Sequence, residues 1–195
     1  MCRPTRDWVS DEPGARFLVR ARRAIFALAL LVGLAAPAAP SPTEYQVKAA
    51  FLYNFTQFVE WPSSAYATTN APLVIGIVGD DPFDKTLDDL VRGEVVRGHP
   101  LVLKRLSAAA DLRSCHLLFI SRSEQERWPA IFDQLKGRPV LLVGDSDGFA
   151  QQGGVVNFFI ENKAVKMEIN KLAADQAGLH ISSKLFNLAR VLKSK

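Results

Sequence analysis

Short apolar runs that alternate with helical segments constrain the fold of this chain most strongly. Leu73–Gly79 reads Leu-Val-Ile-Gly-Ile-Val-Gly, and His116–Ser121 and Pro139–Val143 are similarly short and apolar. Such runs are typical of strands that are buried on both faces of a parallel sheet. The segments between them, near Asp84–Val91 and Glu124–Lys136, have helical patterns. Strands and helices that alternate in this way predict right-handed β-α-β crossovers.

The remaining segments predict a mixed sheet within one α/β domain over residues 41–195. The predicted elements are a helix capped by Thr43 and running to about Val59, a β-ribbon of Glu94–Arg97 with Leu101–Leu106 that turns at Gly98-His99-Pro100, hairpin strands Val155–Ile160 and Ala164–Ile169, and helices near Leu172–Gln176 and Ser182–Leu192. We therefore expect a mixed, mostly parallel β-sheet that is flanked by helices and includes a late antiparallel hairpin.

The N-terminal segment has the pattern of a cleavable signal peptide over residues 1–38. Four arginines precede an apolar stretch, Ala24–Leu34, and a small-x-small site follows at Ala36-Pro37-Ala38. The alternative is an uncleaved anchor, although the apolar stretch is short for a membrane span. The length before Arg16 also suggests a translation start downstream of Met1, for example at Val19 through a non-AUG codon.

Cleavage changes what the charge of the chain implies. The full sequence has 24 basic and 20 acidic residues and a formal charge of +4. Residues 1–38 hold six of the arginines and only three acidic residues, so the mature chain carries 18 basic and 17 acidic groups. A nearly neutral domain without a run of basic residues is a poor partner for nucleic acid, whose binding depends on neutralising phosphates.

The sequence contains no recognisable catalytic, cofactor or metal motif. His99, His116 and His180 do not have metal-ligand spacing, and Cys115 is the single cysteine of the mature chain. No nucleophile elbow, phosphate-binding loop or dinucleotide fingerprint is present. We therefore expect a protein that is not an enzyme and that has no cofactor.

Three weaker patterns allow a functional and a structural interpretation. Cys115 beside His116 could be a nucleophile and its base, but a buried structural cysteine is the favoured interpretation. Asp80-Asp81 could be a metal or phospho-acceptor pair, although a turn that caps the next helix is favoured. Asp145–Gly148 resembles the start of a calcium loop, but Val156 stands where the bidentate glutamate is needed, so a turn is favoured.

The sequence as a whole resembles the YfiR family of exported bacterial proteins. The segments that carry the resemblance are Lys48-Ala-Ala-Phe-Leu-Tyr-Asn-Phe-Thr-Gln-Phe-Val-Glu-Trp-Pro62, Gly79-Asp-Asp-Pro-Phe83, Cys115–Ser121, Val143-Gly-Asp-Ser-Asp-Gly-Phe149, Gly153-Gly154, Met167-Glu-Ile-Asn170 and Ala177–Leu185. They cover nearly the whole mature chain, in order. The combined pattern is specific, although each segment alone is weak.

The resemblance implies a periplasmic, non-enzymatic regulator with a mixed α/β fold that is often dimeric. Relatives bind the periplasmic sensor domain of an inner-membrane diguanylate cyclase and hold it inactive, which controls cyclic di-GMP and biofilm formation. Some relatives carry disulfides and respond to redox conditions. A mature chain with Cys115 alone cannot form an intramolecular disulfide, so such a switch is in doubt here unless Cys115 pairs between two chains.

A repressor of this kind needs a partly exposed apolar patch rather than catalytic groups. The candidates for partner binding are Phe149, Phe158, Phe159 and Glu168, near the Gly-rich loop and the hairpin. Glu168 rests on two arguments, its position on the polar face of its strand and its place in the family-like Met-Glu-Ile-Asn segment. A ligand-binding module that feeds a different membrane sensor or a TonB-linked system, and an enzyme with an unrecognised site, remain alternatives.

Overall fold

A computed structural model describes residues 42–107 and 112–192. In these two ranges the chain forms an eight-stranded sheet, and a two-stranded sheet lies beside it. The strands, in chain order, are β1 (Val59–Glu60), β2 (Leu73–Val78), β3 (Val95–Val96), β4 (His99–Leu106), β5 (Leu117–Ile120), β6 (Leu141–Gly144), β7 (Val156–Glu161), β8 (Ala164–Ile169), β9 (His180–Ile181) and β10 (Arg190–Val191).

The large sheet has the strand order β10-β8-β7-β6-β5-β2-β4-β3. Strands β4, β2, β5, β6 and β7 are parallel to their neighbours in this run, while β7 and β8 form the antiparallel hairpin. Every residue of β2, β5 and β6 is buried. The predicted fold class, a single α/β domain with a mostly parallel mixed sheet and a late antiparallel hairpin, is confirmed.

The described α-helices are α1 (Glu44–Phe58), α2 (Asp84–Val91), α3 (Trp128–Leu135), α4 (Lys171–Gln176) and α5 (Ser183–Phe186). Helix α1 begins as predicted: the Thr43 hydroxyl accepts a hydrogen bond from the Gln46 backbone N–H, and the Gln46 side chain accepts one from the Thr43 N–H. It ends where Val59 turns extended and pairs with Ile181 of β9. The predicted helix near Glu124–Lys136 is divided into a 3-10 turn over Arg122–Arg127 and helix α3.

Helices cover both faces of the sheet, and the pleat assigns residues to each face. On one face, α1 packs beside α2 and its Phe55 stacks on Phe158 of β7, with ring centroids 5.8 Å apart. Asn157, the neighbour of Phe158, pairs with Gly144 of β6 and points to the other face. Phe149 packs against Gly144 on that second face and contacts α3. We call these the α1 face and the α3 face.

The predicted helix over Ser182–Leu192 is wrong. Helix α5 ends at Phe186, and the chain then extends to form β10, which pairs with β8. The spacing of Leu185, Leu188 and Leu192 suggested one apolar face, but the Leu188 side chain is 66% exposed. The hydrogen bond that the Leu192 N–H donates to the Ile169 carbonyl, at 2.9 Å, belongs to the sheet and not to a helix. The predicted turn at Gly98-His99-Pro100 is also displaced, since β4 already begins at His99.

The predicted signal peptide, residues 1–38, lies outside the described residues. Within the described ranges, none of the helices combines the length and the apolar character that crossing a membrane requires.

Candidate partner-binding surface

The hairpin and the loop before it position the four residues predicted to bind a partner, but they do not bring them onto one surface. Asn157 of β7 faces Glu168 of β8, and Phe159 faces Lys166. Glu168 and Phe159 therefore point to the α3 face, whereas Phe158 points to the α1 face. Phe158 and Phe159 are adjacent in β7, so they lie on opposite faces of the strand, as the sequence predicts.

Phe149 is in the core of the α3 face. It is fully buried and packs edge-on against Trp128 and Phe132, at centroid distances of 5.1 and 5.5 Å. Its ring occupies the space that a side chain at Gly154 would need, because a Cβ there would lie 2.1 Å from Phe149 Cε1. The Gly153-Gly154 pair is thus explained by the packing of Phe149.

Phe158 is in the core of the α1 face. It is 1% exposed and contacts both Phe51 and Phe55 of α1, each at a centroid distance of 5.8 Å. A partner that binds the folded domain cannot touch Phe149 or Phe158 directly. The predicted role of these two residues in partner binding stays a prediction.

Glu168 is a buried carboxylate held by neutral groups. Glu168 is 7% exposed, and its Oε1 accepts hydrogen bonds from Asn157 Nδ2 at 3.2 Å and from Gln151 Nε2 at 3.1 Å. Among the residues that the structure describes, Glu168 forms no ion pair. Burial of a charge without a counter-ion is costly, and the two amide N–H donors offset part of that cost; a role of Glu168 in partner binding stays a prediction.

Phe159 is the accessible member of the set. It is half-buried, and the Arg190 guanidinium of β10 lies 4.7 Å from its ring centroid. Arg190 also donates to Glu161 Oε1 at 2.9 Å, so the cation is held over the ring. Phe159 and Glu168 share the α3 face, two residues apart along the hairpin ladder.

A buried ion pair that the sequence reasoning missed joins α1 to the end of β6. Lys48 Nζ lies 2.7 Å from Asp145 Oδ2, and both side chains are 2% exposed. The Tyr45 hydroxyl donates to the same oxygen at 3.0 Å. Burial raises the pKa of Tyr45 to about 12, and the negative charge of Asp145 makes the second-largest contribution to this rise. The sequence contained one signal: Lys48 lies in the stripe of buried α1 residues that includes Leu52 and Phe55.

The first two of the three weaker sequence patterns have structural contacts of their own, and the third contains Asp145, whose ion pair with Lys48 is described above. Cys115 is buried, with 3% of its surface exposed, as the structural interpretation predicts. The imidazole of His116 accepts from the Val74 N–H at Nδ1, at 3.1 Å, and stacks on Tyr66, and burial lowers its pKa. Asp81 Oδ1 accepts from the Phe83 N–H at 2.8 Å, as expected of a turn before α2. No group of three or more potential metal ligands occurs within the described ranges.

Comparison with known proteins places this chain in a family. Residues 45–190 match the family described as YfiR/HmsC-like. The chain belongs to the YfiR/HmsC-like family. The predicted family resemblance is confirmed, and membership supports a periplasmic regulator of a diguanylate cyclase in general rather than a catalytic protein.

Other comparisons add little to the YfiR/HmsC-like assignment. No curated protein matches the chain. Among solved structures, the chain is similar to the ABC domain from Streptococcus pneumoniae in complex with L-Trp, with 11% identity and a TM-score of 0.45. The match covers 62% of this chain and spans 55% of the length of that protein.

Proposed function

We propose that this protein binds the extracytoplasmic sensor domain of a membrane diguanylate cyclase and represses cyclic di-GMP synthesis. The observation that carries the proposal is the YfiR/HmsC-like match, which extends from α1 to β10. The protein would act in the periplasm after export by its signal peptide, as a homodimer, and would control biofilm formation through the cyclase.

The contacts of the hairpin support a binding role for its α3 face. Phe159 supplies a half-buried aromatic ring, Arg190 supplies a cation, and Glu168 supplies a carboxylate without a counter-ion among the described residues. Aromatic rings and arginines are enriched among the residues that dominate binding energies. Phe149 and Phe158 would support this surface from beneath, because they fill the core on the two sides of the hairpin.

Repression requires no chemistry by the bound protein. A regulator that binds the inactive conformation of a sensor more tightly than the active one shifts the equilibrium by the difference in the two binding free energies. About 1.4 kcal/mol of difference corresponds to a tenfold change in the ratio of the two conformations. One well-placed aromatic contact and one charged hydrogen bond are of that order.

Deletion of the gene, followed by measurement of cellular cyclic di-GMP, tests the proposal. We expect cyclic di-GMP to rise and to return to its initial level when the wild-type gene is restored. Deletion without any rise, in cells shown to express the protein, would refute repression.

A matched pair of variants tests the surface. Phe159→Ala is expected to weaken capture of the purified sensor domain while leaving the melting temperature nearly unchanged. Phe158→Ala is the contrasting control, because loss of a buried phenylalanine costs about 3–5 kcal/mol of stability. Glu168→Gln keeps the shape of the side chain and removes its charge. If it binds as the wild type does, the carboxylate has no role in recognition.

A cleft between α3 and α4 favours the second candidate, a module that binds a small ligand. It has a volume of about 220 Å³, its apolar lining includes Phe132, Leu142 and Ala173, and the exposed Lys136 and Arg138 lie beside it. The lining also includes Asp133, and this composition suits a small, mostly apolar ligand with a polar group beside Lys136. Thermal-shift screening of periplasmic extracts tests it: an upward shift lost in Lys136→Ala, but kept in the control Lys104→Ala, supports ligand binding.

A further inference from the structure

The outer edge of β8 is covered over only part of its length. Strand β8 spans Ala164–Ile169, and β10 pairs with it only at Glu168 and Ile169. The residues before β10 do not continue the pairing, because the Leu188 and Ala189 N–H groups donate to carbonyls of α5, at Leu185 and Phe186. The first part of the β8 edge therefore has no neighbouring strand within residues 42–107 and 112–192.

The hydrogen bonds of β10 show which backbone groups lie along this edge. The Ile169 carbonyl accepts from Leu192 and so points outward, away from β7. In an antiparallel strand, alternate residues direct their backbone groups to the same side. The N–H and C=O groups of Val165 and Met167 thus also point outward. The parallel register of β10 with β8 directs the Arg190 N–H to the Met167 carbonyl, so the outward groups without a strand partner among the described residues are the N–H and C=O of Val165 and the N–H of Met167. An edge of this kind is a template for another strand.

The side chains at the edge differ between the two faces of the sheet. On the α1 face, Val165 faces Ile160, which is 51% exposed. On the α3 face, Lys166 is exposed and faces Phe159, over which Arg190 lies. Arg190 is paired with Glu161, but Lys166 forms no ion pair within the described ranges. Over Ala164–Met167 the edge is therefore apolar on the α1 face, and on the α3 face its exposed charge is the Lys166 ammonium, while Glu168 lies buried further along the strand.

We propose that the β8 edge, Ala164–Met167, binds an extended segment of the partner protein as an additional strand. The segment would alternate apolar and acidic side chains, since its apolar residues would meet Val165 and Ile160 and its carboxylates would meet Lys166. Main-chain hydrogen bonds to the N–H and C=O of Val165 and to the N–H of Met167 would hold it, as in other cases of strand addition. The inference deepens the proposed function and rests on it for the identity of the partner.

A foreign segment fits this edge better than a second copy of the chain does. When two β8 edges pair antiparallel about a two-fold axis, the two Lys166 side chains lie opposite or diagonal to each other on one face. Like charges in that position destabilise the pair. A membrane surface also fits poorly, because the hairpin tip that would enter it consists of Glu161, Asn162 and Lys163.

Peptide titration of the ¹⁵N-labelled mature protein tests the edge without the partner. The probes are two blocked seven-residue peptides, one of alternating isoleucine and glutamate and one of alternating isoleucine and lysine. We expect the glutamate peptide alone to shift the amide signals of residues 164–167 and to slow hydrogen exchange at Val165 and Met167. No shift at millimolar peptide, or equal shifts with both peptides, would overturn the proposal. Protection of these amides in the free protein that disappears on dilution would also overturn it, since a second copy would then occupy the edge.

Variants with the sensor domain test the same edge in the complex. Val165→Pro removes the outward N–H, and Val165→Thr is its control because threonine keeps the N–H and the β-branched shape. Lys166→Glu reverses the edge charge, and Lys163→Glu makes the same change at the hairpin tip. We expect about tenfold weaker binding for Val165→Pro and Lys166→Glu, which corresponds to loss of about one hydrogen bond or ion pair. We expect wild-type binding for both controls.

These outcomes separate the inference from the proposed function. If the wild type binds the sensor domain and Lys166→Glu binds equally well, the edge proposal is wrong and the proposed function stands. If the wild type does not bind the sensor domain, the proposed function fails, and the peptide titration decides the edge proposal by itself.

Discussion

Replacing Lys48 by methionine tests the energetic role of the buried ion pair. Lys48→Met keeps the length and helix propensity of the side chain but removes the charge that lies 2.7 Å from Asp145. Among the described residues, the carboxylate of Asp145, which is 2% exposed, would keep the Tyr45 hydroxyl at 3.0 Å as its one side-chain donor. Breaking a buried pair by removing one partner costs about 3–5 kcal/mol. For a domain of this size, each kcal/mol lowers the melting temperature by about 2–4 °C, so we expect a fall of about 6–20 °C by calorimetry.

The chain offers a matched control for this experiment. Lys171 and Asp175 form an exposed ion pair of similar length, 2.6 Å, with side chains 59% and 56% exposed. Lys171→Met should change stability by less than about 0.5 kcal/mol. The double variant Lys48→Met, Asp145→Asn removes both charges, and we expect it to recover part of the loss. A fall below about 2 °C for Lys48→Met, or a double variant that is no more stable than the single one, would refute the reasoning.

Three further predictions follow from individual contacts. Gly154→Ala places a Cβ 2.1 Å from the Phe149 ring, so we expect a loss of about 1–3 kcal/mol in urea unfolding; a wild-type midpoint would mean that the ring moves freely. Because the pKa of Tyr45 is raised to about 12, the last step of an alkaline ultraviolet titration should disappear in Tyr45→Phe. The stability that Tyr45 contributes through this raised pKa should be present below pH 10 and be lost as the pH rises through about 12. Burial lowers the pKa of His116, so the stability that this residue contributes should be present above its ordinary pKa of about 6.5 and decrease as the pH falls below that value. His116→Gln should therefore reduce the slope of the free energy of unfolding against pH below about pH 6.5. An unchanged slope would exclude His116 as the cause of that pH dependence.

The parallel core was predictable because it rests on local patterns. Strands β2, β5 and β6 are short apolar runs, and burial on both faces leaves such runs few other structures. The error at Ser182–Leu192 has a physical origin. The leucine spacing fits a helix, but pairing with the edge of β8 satisfies the backbone of β10 in a way that periodicity does not reveal.

The candidate site was less predictable, because its contacts join distant parts of the chain. The Lys48–Asp145 pair joins residues 97 positions apart, and no spacing rule connects them. Phe158 and Phe159 lie on β7 of the hairpin and Phe149 packs on Gly154 of the Gly-rich loop, while their role in partner binding stays a prediction. The sequence could not show that Phe149 and Phe158 lie inside, because that depends on Gly154 and on where α1 packs.

The pairing of β1 with β9 has a consequence for the order in which the domain folds. Val59 directly follows the first helix, and its strand partner Ile181 lies near the C-terminal end of the domain. The hairpin of β7 and β8 can form early from local contacts, but this second sheet must wait until almost the whole chain is available. A polypeptide that is still growing therefore lacks β9, the strand with which β1 pairs. The pairing therefore fastens the end of the first helix to the C-terminal segment as a late step, after the local elements between them have formed.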